Sequence, residues 1–309
     1  MFRADVLAGL AAPIPAIPAR WLYDHRGSEL FEEITRLPEY YPTRTETALL
    51  ERCSGEFADL LGTGEAVVEF GSGSSAKTPI LLRAIRPACY VPVDISGDFL
   101  RESARALQAE FPSLPIHPVE ADFTRAFALP AAIAAAPRLG FFPGSTIGNF
   151  VPRSAVDFLR AMYDTLGAGS RLLIGFDRIK DVDILLAAYD DSAGVTAAFN
   201  LNLLHRINAE LDGDIPVGAF RHRAIWNDAM SRIEMHLEAV RDLAFAVSGQ
   251  SFAMRAGATI HTENSHKYGH RDSRLMLRAA GWGVVREWTD EREWFSILLA
   301  EAEPPRFAP

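Results

Sequence analysis

Ala66-Val67-Val68-Glu69-Phe70-Gly71-Ser72-Gly73 is the stretch that decides the fold of this 309-residue chain. A short β-branched run leads directly into a Gly-x-Gly turn, and a helical pattern follows from about Lys77 to Ile85. Glycine at such a turn lets the backbone pass close to a ligand without a Cβ clash, and the helix beyond it offers free N–H groups. Downstream the alternation repeats. The pattern predicts strands at 89–94, 115–119, 139–143 and 171–177, with helices at 97–110 and 153–166 between them. Short apolar strands alternating with amphipathic helices indicate an α/β, doubly wound parallel sheet.

Upstream, the prolines at 13, 15 and 18 suggest an extended arm over residues 1–20. Apolar residues at helical spacing over 28–34 predict a helix ended by Pro38. Thr43 and Glu46 form a capping-box pattern for another helix running to Leu61. Between 178 and 265 the rhythm breaks: a helical part is expected from Ile184 to about Leu211, then alternating strands between 219 and 262. A helix over 268–280 and strands at 283–289 and 294–300 complete the reading.

Lys+Arg of 31 against Asp+Glu of 40 gives a net charge of -9, which argues against nucleic acid as a partner. The 49% hydrophobic content supports a full core, and Cys53 and Cys89 fit a reducing compartment rather than a disulfide scaffold. No apolar run reaches the ~20 residues that cross a bilayer, and the early prolines and Asp5 argue against a signal peptide. A cytoplasmic protein with no membrane partner, monomeric, is expected.

Gly71-x-Gly73 with Ala76 nearly meets the dinucleotide pattern, so NAD stays open, as does plain turn chemistry. Three details favour S-adenosylmethionine (SAM). Glu69 precedes the glycines in acidic-x-Gly-x-Gly form. Asp94 ends the second strand, where a carboxylate accepts ribose hydroxyls. Asp122-Phe123 follows the third strand, where an acid accepts the adenine amino group and a ring stacks on the base. The closing antiparallel strand pair also suits a class I SAM-dependent methyltransferase, a Rossmann-like doubly wound sheet.

Four further segments carry a specific resemblance: residues 23–32 (YDHRGSELFE), 37–44 (LPEYYPTR), 142–150 (FPGSTIGNF) and 262–268 (TENSHKY). With them the chain, from about residue 20 to 300, resembles the histidine Nα-methyltransferases of ergothioneine biosynthesis. The resemblance implies SAM-dependent Nα-trimethylation of L-histidine to hercynine. It implies that Gly71 lines the cofactor loop, Lys77 pairs with the methionine carboxylate, Asp94 holds the ribose, and Asp122 and Phe123 bind adenine. For the substrate it implies Asn149 and Tyr189 on the α-carboxylate, and Tyr41, Glu263 and Ser265 on the imidazole. It also implies a second, α+β substrate-binding domain acting as a lid. The expected division is 46–195 plus 268–309 for the methyltransferase domain and 1–45 plus 196–267 for the lid.

These roles suit the residue types. Glu263 accepts from an imidazole N–H, Ser265 lies two residues on along a strand and shares its face, and Asn149 and Tyr189 offer donors to a carboxylate. The bland alternatives are concrete: Tyr41 as a core aromatic, Asn149 as a turn residue, Glu263 as an exposed strand residue. Lys77 beside a helix N-terminus opposes the macrodipole, which a ligand carboxylate would explain. No general base is evident, so positioning rather than a committed catalytic residue is expected. His261, His266 and His270 mix strand and helix spacing, and no metal is expected. Ser72, Ser74 and Ser75 do not meet a hydrolase elbow. Met235 and Trp226 read as core residues or pocket walls. The runners-up are methylation of another amino acid or amine and a non-catalytic SAM-binding module.

Overall fold

The computed structural model describes residues 1–73, 77–134 and 136–303; Ser74, Ser75 and Ala76, part of the glycine-loop reading, lie outside the described residues. The chain opens with α1 (Phe2–Leu10), a 3₁₀ turn (Ala19–Leu22) and α2 (His25–Thr35). The first half of the extended arm expected over 1–20 is thus a helix. Its prolines all fall beyond the end of α1, where a missing N–H breaks no helical bond. Asp24 caps α2, accepting from the Gly27 N–H at 2.7 Å.

α3 (Tyr41–Leu61) begins two residues before the expected Thr43 cap, with Pro42 in its first turn, where the helix has no use for the N–H. Glu46 therefore completes no capping box. Its buried carboxylate accepts from the Gly144 N–H and pairs with Lys77 instead.

The alternation follows as β1 (Ala66–Phe70), α4 (Thr78–Ile85), β2 (Cys89–Asp94), α5 (Gly97–Glu110), β3 (Val119–Glu120), β4 (Arg138–Phe142), α6 (Pro152–Leu166) and β5 (Arg171–Asp177). Next come α7 (Val182–Tyr189), α8 (Val195–Glu210), β6 (Phe220–Asn227), β7 (Arg232–Ala239), β8 (Leu243–Val247), β9 (Gln250–Met254) and β10 (Thr259–His266). The chain closes with α9 (His270–Ala279), β11 (Trp282–Thr289) and β12 (Phe295–Ala302). β3 is shorter and later than expected. Pro115 and Pro118 remove ladder donors, leaving Ile116 an isolated bridge to Tyr90 before regular pairing starts at Val119.

Two compact units emerge. One combines Met1–Tyr41 with Lys180–His266; the other combines Pro42–Ile179 with the chain from Lys267 on. Compared with the expected division, residues 180–195 fall in the first unit, since α7 packs on β6 and β7, and residues 42–45 and Lys267 fall in the second.

The second unit is built on a seven-stranded sheet of order β11-β12-β5-β4-β1-β2-β3, parallel from β5 to β3, with β12 antiparallel to β5. Its inner strands β1, β2, β4, β5 and β12 are buried on both faces, as a sheet covered on both sides requires, while the edge strands β3 and β11 are partly exposed. Phe70, Val91, Phe142 and Ile174 join Phe158 and Met162 of α6 on one side. Val67, Tyr90, Leu139 and Leu173 join Leu50 and Phe57 of α3 on the other. The chain leaves this unit after Ile179 and returns at Lys267, and the two crossings are paired. The Tyr268 N–H donates to the Asp177 carbonyl at 3.0 Å and the Ile179 N–H to the Tyr268 carbonyl at 3.3 Å. Beside them Lys267 and Asp177 form a fully buried ion pair at 2.7 Å.

The first unit holds a three-stranded antiparallel sheet, β10-β7-β6, and a β8-β9 hairpin. The β10–β7 register slips by one residue between His261, opposite His236, and Glu263, opposite Met235. Successive residues of β7 point to opposite faces, so this bulge puts His261 on one face and Glu263 and Ser265 on the other.

Candidate active site

In the second unit the expected cofactor residues gather at the carboxyl ends of β1, β2 and β3, where open α/β sheets bind ligands. The glycine turn is held to its neighbour strand: the Gly71 and Ser72 N–H groups donate to the Val93 carbonyl at 2.8 and 3.1 Å. Gly71 has φ +69°, and a Cβ there would stand 3.2 Å from the Phe123 ring. Glycine is thus favoured by conformation, and the aromatic beside it leaves a Cβ little room. Asp94 accepts from the Gly73 N–H at 3.2 Å and the Ser96 N–H at 2.9 Å, which spans the glycine turn and the start of α5 with one carboxylate. Asp122 accepts from the Thr124 N–H and hydroxyl, fixing the turn that presents Phe123. Such a bare-backbone turn beside an aromatic ring and two carboxylates fits an adenosine with its ribose diol.

Glu69, the acid that precedes the glycines, lies inside the sheet. It is buried and accepts from Thr78 Oγ1 at 2.6 Å and Tyr90 Oη at 2.5 Å, bracing β1 to α4 and β2. Desolvation pushes its carboxyl up to about 7. Lys77, just before α4, is paired with Glu46, and Gly175 leaves the room for that carboxylate: a Cβ there would sit 2.4 Å from Glu46 Oε1. Asn149 ends the 3₁₀ turn Thr146–Asn149 beyond β4 and is half-buried.

In the first unit the expected substrate residues stand among aromatic rings. Glu263 and Ser265 are both buried, 8% and 6% exposed, which removes the alternative of an exposed strand glutamate. Ser265 Oγ lies 2.6 Å from Tyr189 Oη, joining a residue expected at the imidazole to one expected at the α-carboxylate. Tyr23 Oη donates to Glu263 Oε1 at 3.3 Å. Burial, reinforced by the Glu263 charge, raises the Tyr23 phenol well above its usual range, so it stays a donor. The rings of Phe31, Phe199, Tyr40 and Tyr189 contact one another and Tyr23 edge-on or tilted. Tyr41 is buried and accepts from Lys180 Nζ at 2.7 Å. His222 carries its own load: Nε2 meets the Tyr189 carbonyl at 2.8 Å, tying β6 to the end of α7.

Sequence reasoning missed Tyr23, Glu46 and Lys180. Their partners lie 240, 31 and 139 residues away, and periodicity carries no trace of such contacts. The three histidines weighed together are parted. His270 bonds Glu287 Oε1 at 2.6 Å, while His261 stacks on His236, centroids 4.8 Å apart. With Glu234 these two form a trio whose ligand atoms lie within 4.8 Å of one another. Arg232 and Asn227 already donate to that carboxylate, and despite desolvation they and His236 draw it down to about 2. The guanidinium there opposes a second positive charge.

No described helix is long and apolar enough to cross a membrane. Residues 2–302 match the family described as histidine-specific, SAM-dependent methyltransferase. The chain is 41% identical over 304 residues to a histidine N-alpha-methyltransferase of Mycolicibacterium smegmatis, covering 96% of this chain and 94% of the relative. A Mycobacterium tuberculosis protein of the same name matches with the same identity and coverage. The ergothioneine biosynthesis protein 1 of Neurospora crassa is 31% identical over 302 residues, 93% of this chain but 33% of that longer protein. With a parallel β3-β2-β1-β4-β5 sheet closed by an antiparallel β12, and a match over nearly its whole length, the chain belongs to the histidine-specific, SAM-dependent methyltransferase family.

Proposed function

We propose that this protein transfers methyl groups from SAM to the α-amino group of L-histidine, three times, giving hercynine as the first step of ergothioneine biosynthesis. The observation that carries the reading is the Glu263–Ser265 pair: a buried acceptor and a buried hydroxyl on one strand face, tied to Tyr23 and Tyr189 amid apolar rings. Such a set matches a ring whose two nitrogens each need a partner once water is removed.

In this reading Gly71, Asp94, Asp122 and Phe123 hold the adenosine and Lys77 the methionine carboxylate. Asn149 and Tyr189 hold the substrate carboxylate, and Tyr41, Glu263 and Ser265 the imidazole. SAM supplies an electrophilic methyl on a positively charged sulfur. The protein's task is to hold a lone-pair-bearing amine ~3–3.5 Å from that methyl, in line with the breaking bond. Before each transfer the amine sheds a proton. Because the ring and carboxylate are gripped at both ends, the amine turns between rounds without losing its place. The first unit acts as the substrate-binding lid.

The test is direct. Purified protein is mixed with SAM and L-histidine, and with a panel of other amino acids and amines, and the products are read by mass spectrometry. A mass gain of three methyl groups on histidine supports the reading. Methylation confined to another amine, or no turnover with intact SAM binding, overturns it.

A further inference from the structure

The Lys180–Tyr41 contact assigns a direction to a hydrogen bond that a tyrosine alone leaves open. A phenol oxygen both donates and accepts, so an unanchored tyrosine beside an imidazole can meet either an N–H or a lone pair. Lys180 removes that freedom. Its ammonium has three N–H groups and no lone pair, so in the 2.7 Å contact Tyr41 Oη is the acceptor. The same ammonium lies 4.3 Å from the Tyr41 ring centroid, which holds the ring as well as the oxygen. The phenol proton therefore points away from Lys180, and donation into Oη makes that proton a better donor in turn.

Lys180 stands two residues before α7, whose N-cap is Asp181, and a cation there opposes the helix dipole. Tyr41, by contrast, is the first residue of α3, and 139 positions separate the pair.

We infer that Lys180 is a positioning residue that fixes Tyr41 as a donor, so that the site takes histidine with its imidazole in one neutral tautomer. This rests on the proposed reading in which Tyr41, Glu263 and Ser265 hold the imidazole, and it sets Tyr41 at one ring nitrogen and Glu263, with Ser265 beside it, at the other. Tyr41 then donates to the nitrogen bearing the lone pair. Glu263, an acceptor, takes the N–H of the other. The two residues read opposite ends of one tautomer, and Lys180 is what makes the Tyr41 end unambiguous.

The test is a double-mutant cycle on the full-length enzyme with SAM saturating: Lys180→Met, Tyr41→Phe and both together. Lys180→Met is expected to raise the histidine KM about tenfold, with kcat and the SAM Kd within twofold of the parent. In the Tyr41→Phe background the same change is expected to add less than twofold, because Lys180 acts through the missing oxygen. Lys180→Arg, which also donates, is expected to recover most of the parent KM. An equal KM rise in both backgrounds, or none in either, overturns the inference while leaving Tyr41 as a substrate residue. An unchanged KM in Tyr41→Phe alone overturns the role of Tyr41 itself, and the inference with it. Thermal melts of each variant separate these outcomes from loss of fold.

Discussion

Replacing Glu263 by alanine removes the carboxylate expected to accept the imidazole N–H. The site is 8% exposed, so water does not simply take its place. Leaving a buried donor unpaired costs about 1–3 kcal/mol, and the lost acceptor was charged, which favours the upper half of that range. At about 1.4 kcal/mol per factor of ten, 2–3 kcal/mol corresponds to a roughly 30- to 150-fold fall in kcat/KM for histidine. Tyr23 also loses its partner, a cost to the fold that is present with or without histidine and so does not enter kcat/KM. Glu263→Gln keeps a carbonyl acceptor and is expected to lose only about three- to tenfold. SAM affinity should stay within twofold in both variants, since the glycine turn belongs to the other unit. Discrimination against phenylalanine and tryptophan should weaken in the alanine variant, because rejection of an apolar ring rests on the polar groups it leaves unpaired. The assay is steady-state kinetics with each amino acid, with calorimetry for SAM. A stably folded Glu263→Ala protein whose histidine kinetics lie within twofold of the parent refutes the argument and removes histidine as the inferred substrate. The fold would stand.

Asp94→Ala should weaken SAM binding by about 10- to 150-fold, the ~1.5–3 kcal/mol of a charge-assisted contact; calorimetry showing parental affinity in a folded variant counts against the ribose assignment. Glu69, fully buried with its carboxyl raised to about 7 from 4.5, holds its proton more tightly folded than unfolded. Its contribution is full below pH ~4.5 and lost as pH rises through ~7, on the order of 3 kcal/mol across that window. Glu69→Gln should flatten the fall of Tm between pH 5 and 8, and an unchanged slope would show that another group sets it. Lys267→Met removes one partner of the fully buried Lys267–Asp177 ion pair, which should cost about 3–5 kcal/mol and lower Tm by roughly 6–20 °C; a melt within 2 °C of the parent would contradict a stabilising role for that pair.

The central sheet was legible because its strands and helices are local patterns. β2, β5 and α5 lie at the predicted residues, and Asp94 and Asp122-Phe123 sit at the strand ends that the alternation indicates. What the sequence hid is non-local. Thr43 and Glu46 have the spacing of a capping box, yet a proline one residue upstream moved the helix start and a backbone N–H 98 residues away claimed the glutamate. The prolines of the first 20 residues pointed to an extended arm because their effect on the chain before them was overestimated. The motif places Glu69 at the end of its strand, but its bonds to Thr78 and Tyr90 come from side chains that the motif does not specify. His261 was weighed with its neighbours in sequence, whereas strand pairing gave it His236.

The one-residue slip in β10 sets the parity of everything after it. With it, Asn264 shares a side with Glu234, and Ser265 with Ile233, while His261 keeps company with His236. Any substitution at Thr262 leaves that count intact, and even its deletion would keep Glu263 opposite Met235; straightening the strand with Thr262 retained would instead pair Thr262 with Met235 and exchange the two sides beyond it. The inward display would then read asparagine and histidine where it now reads glutamate and serine. The register therefore sets the chemistry of this wall more completely than any single replacement along it, and the slip is what separates the His261 side from the Glu263 side.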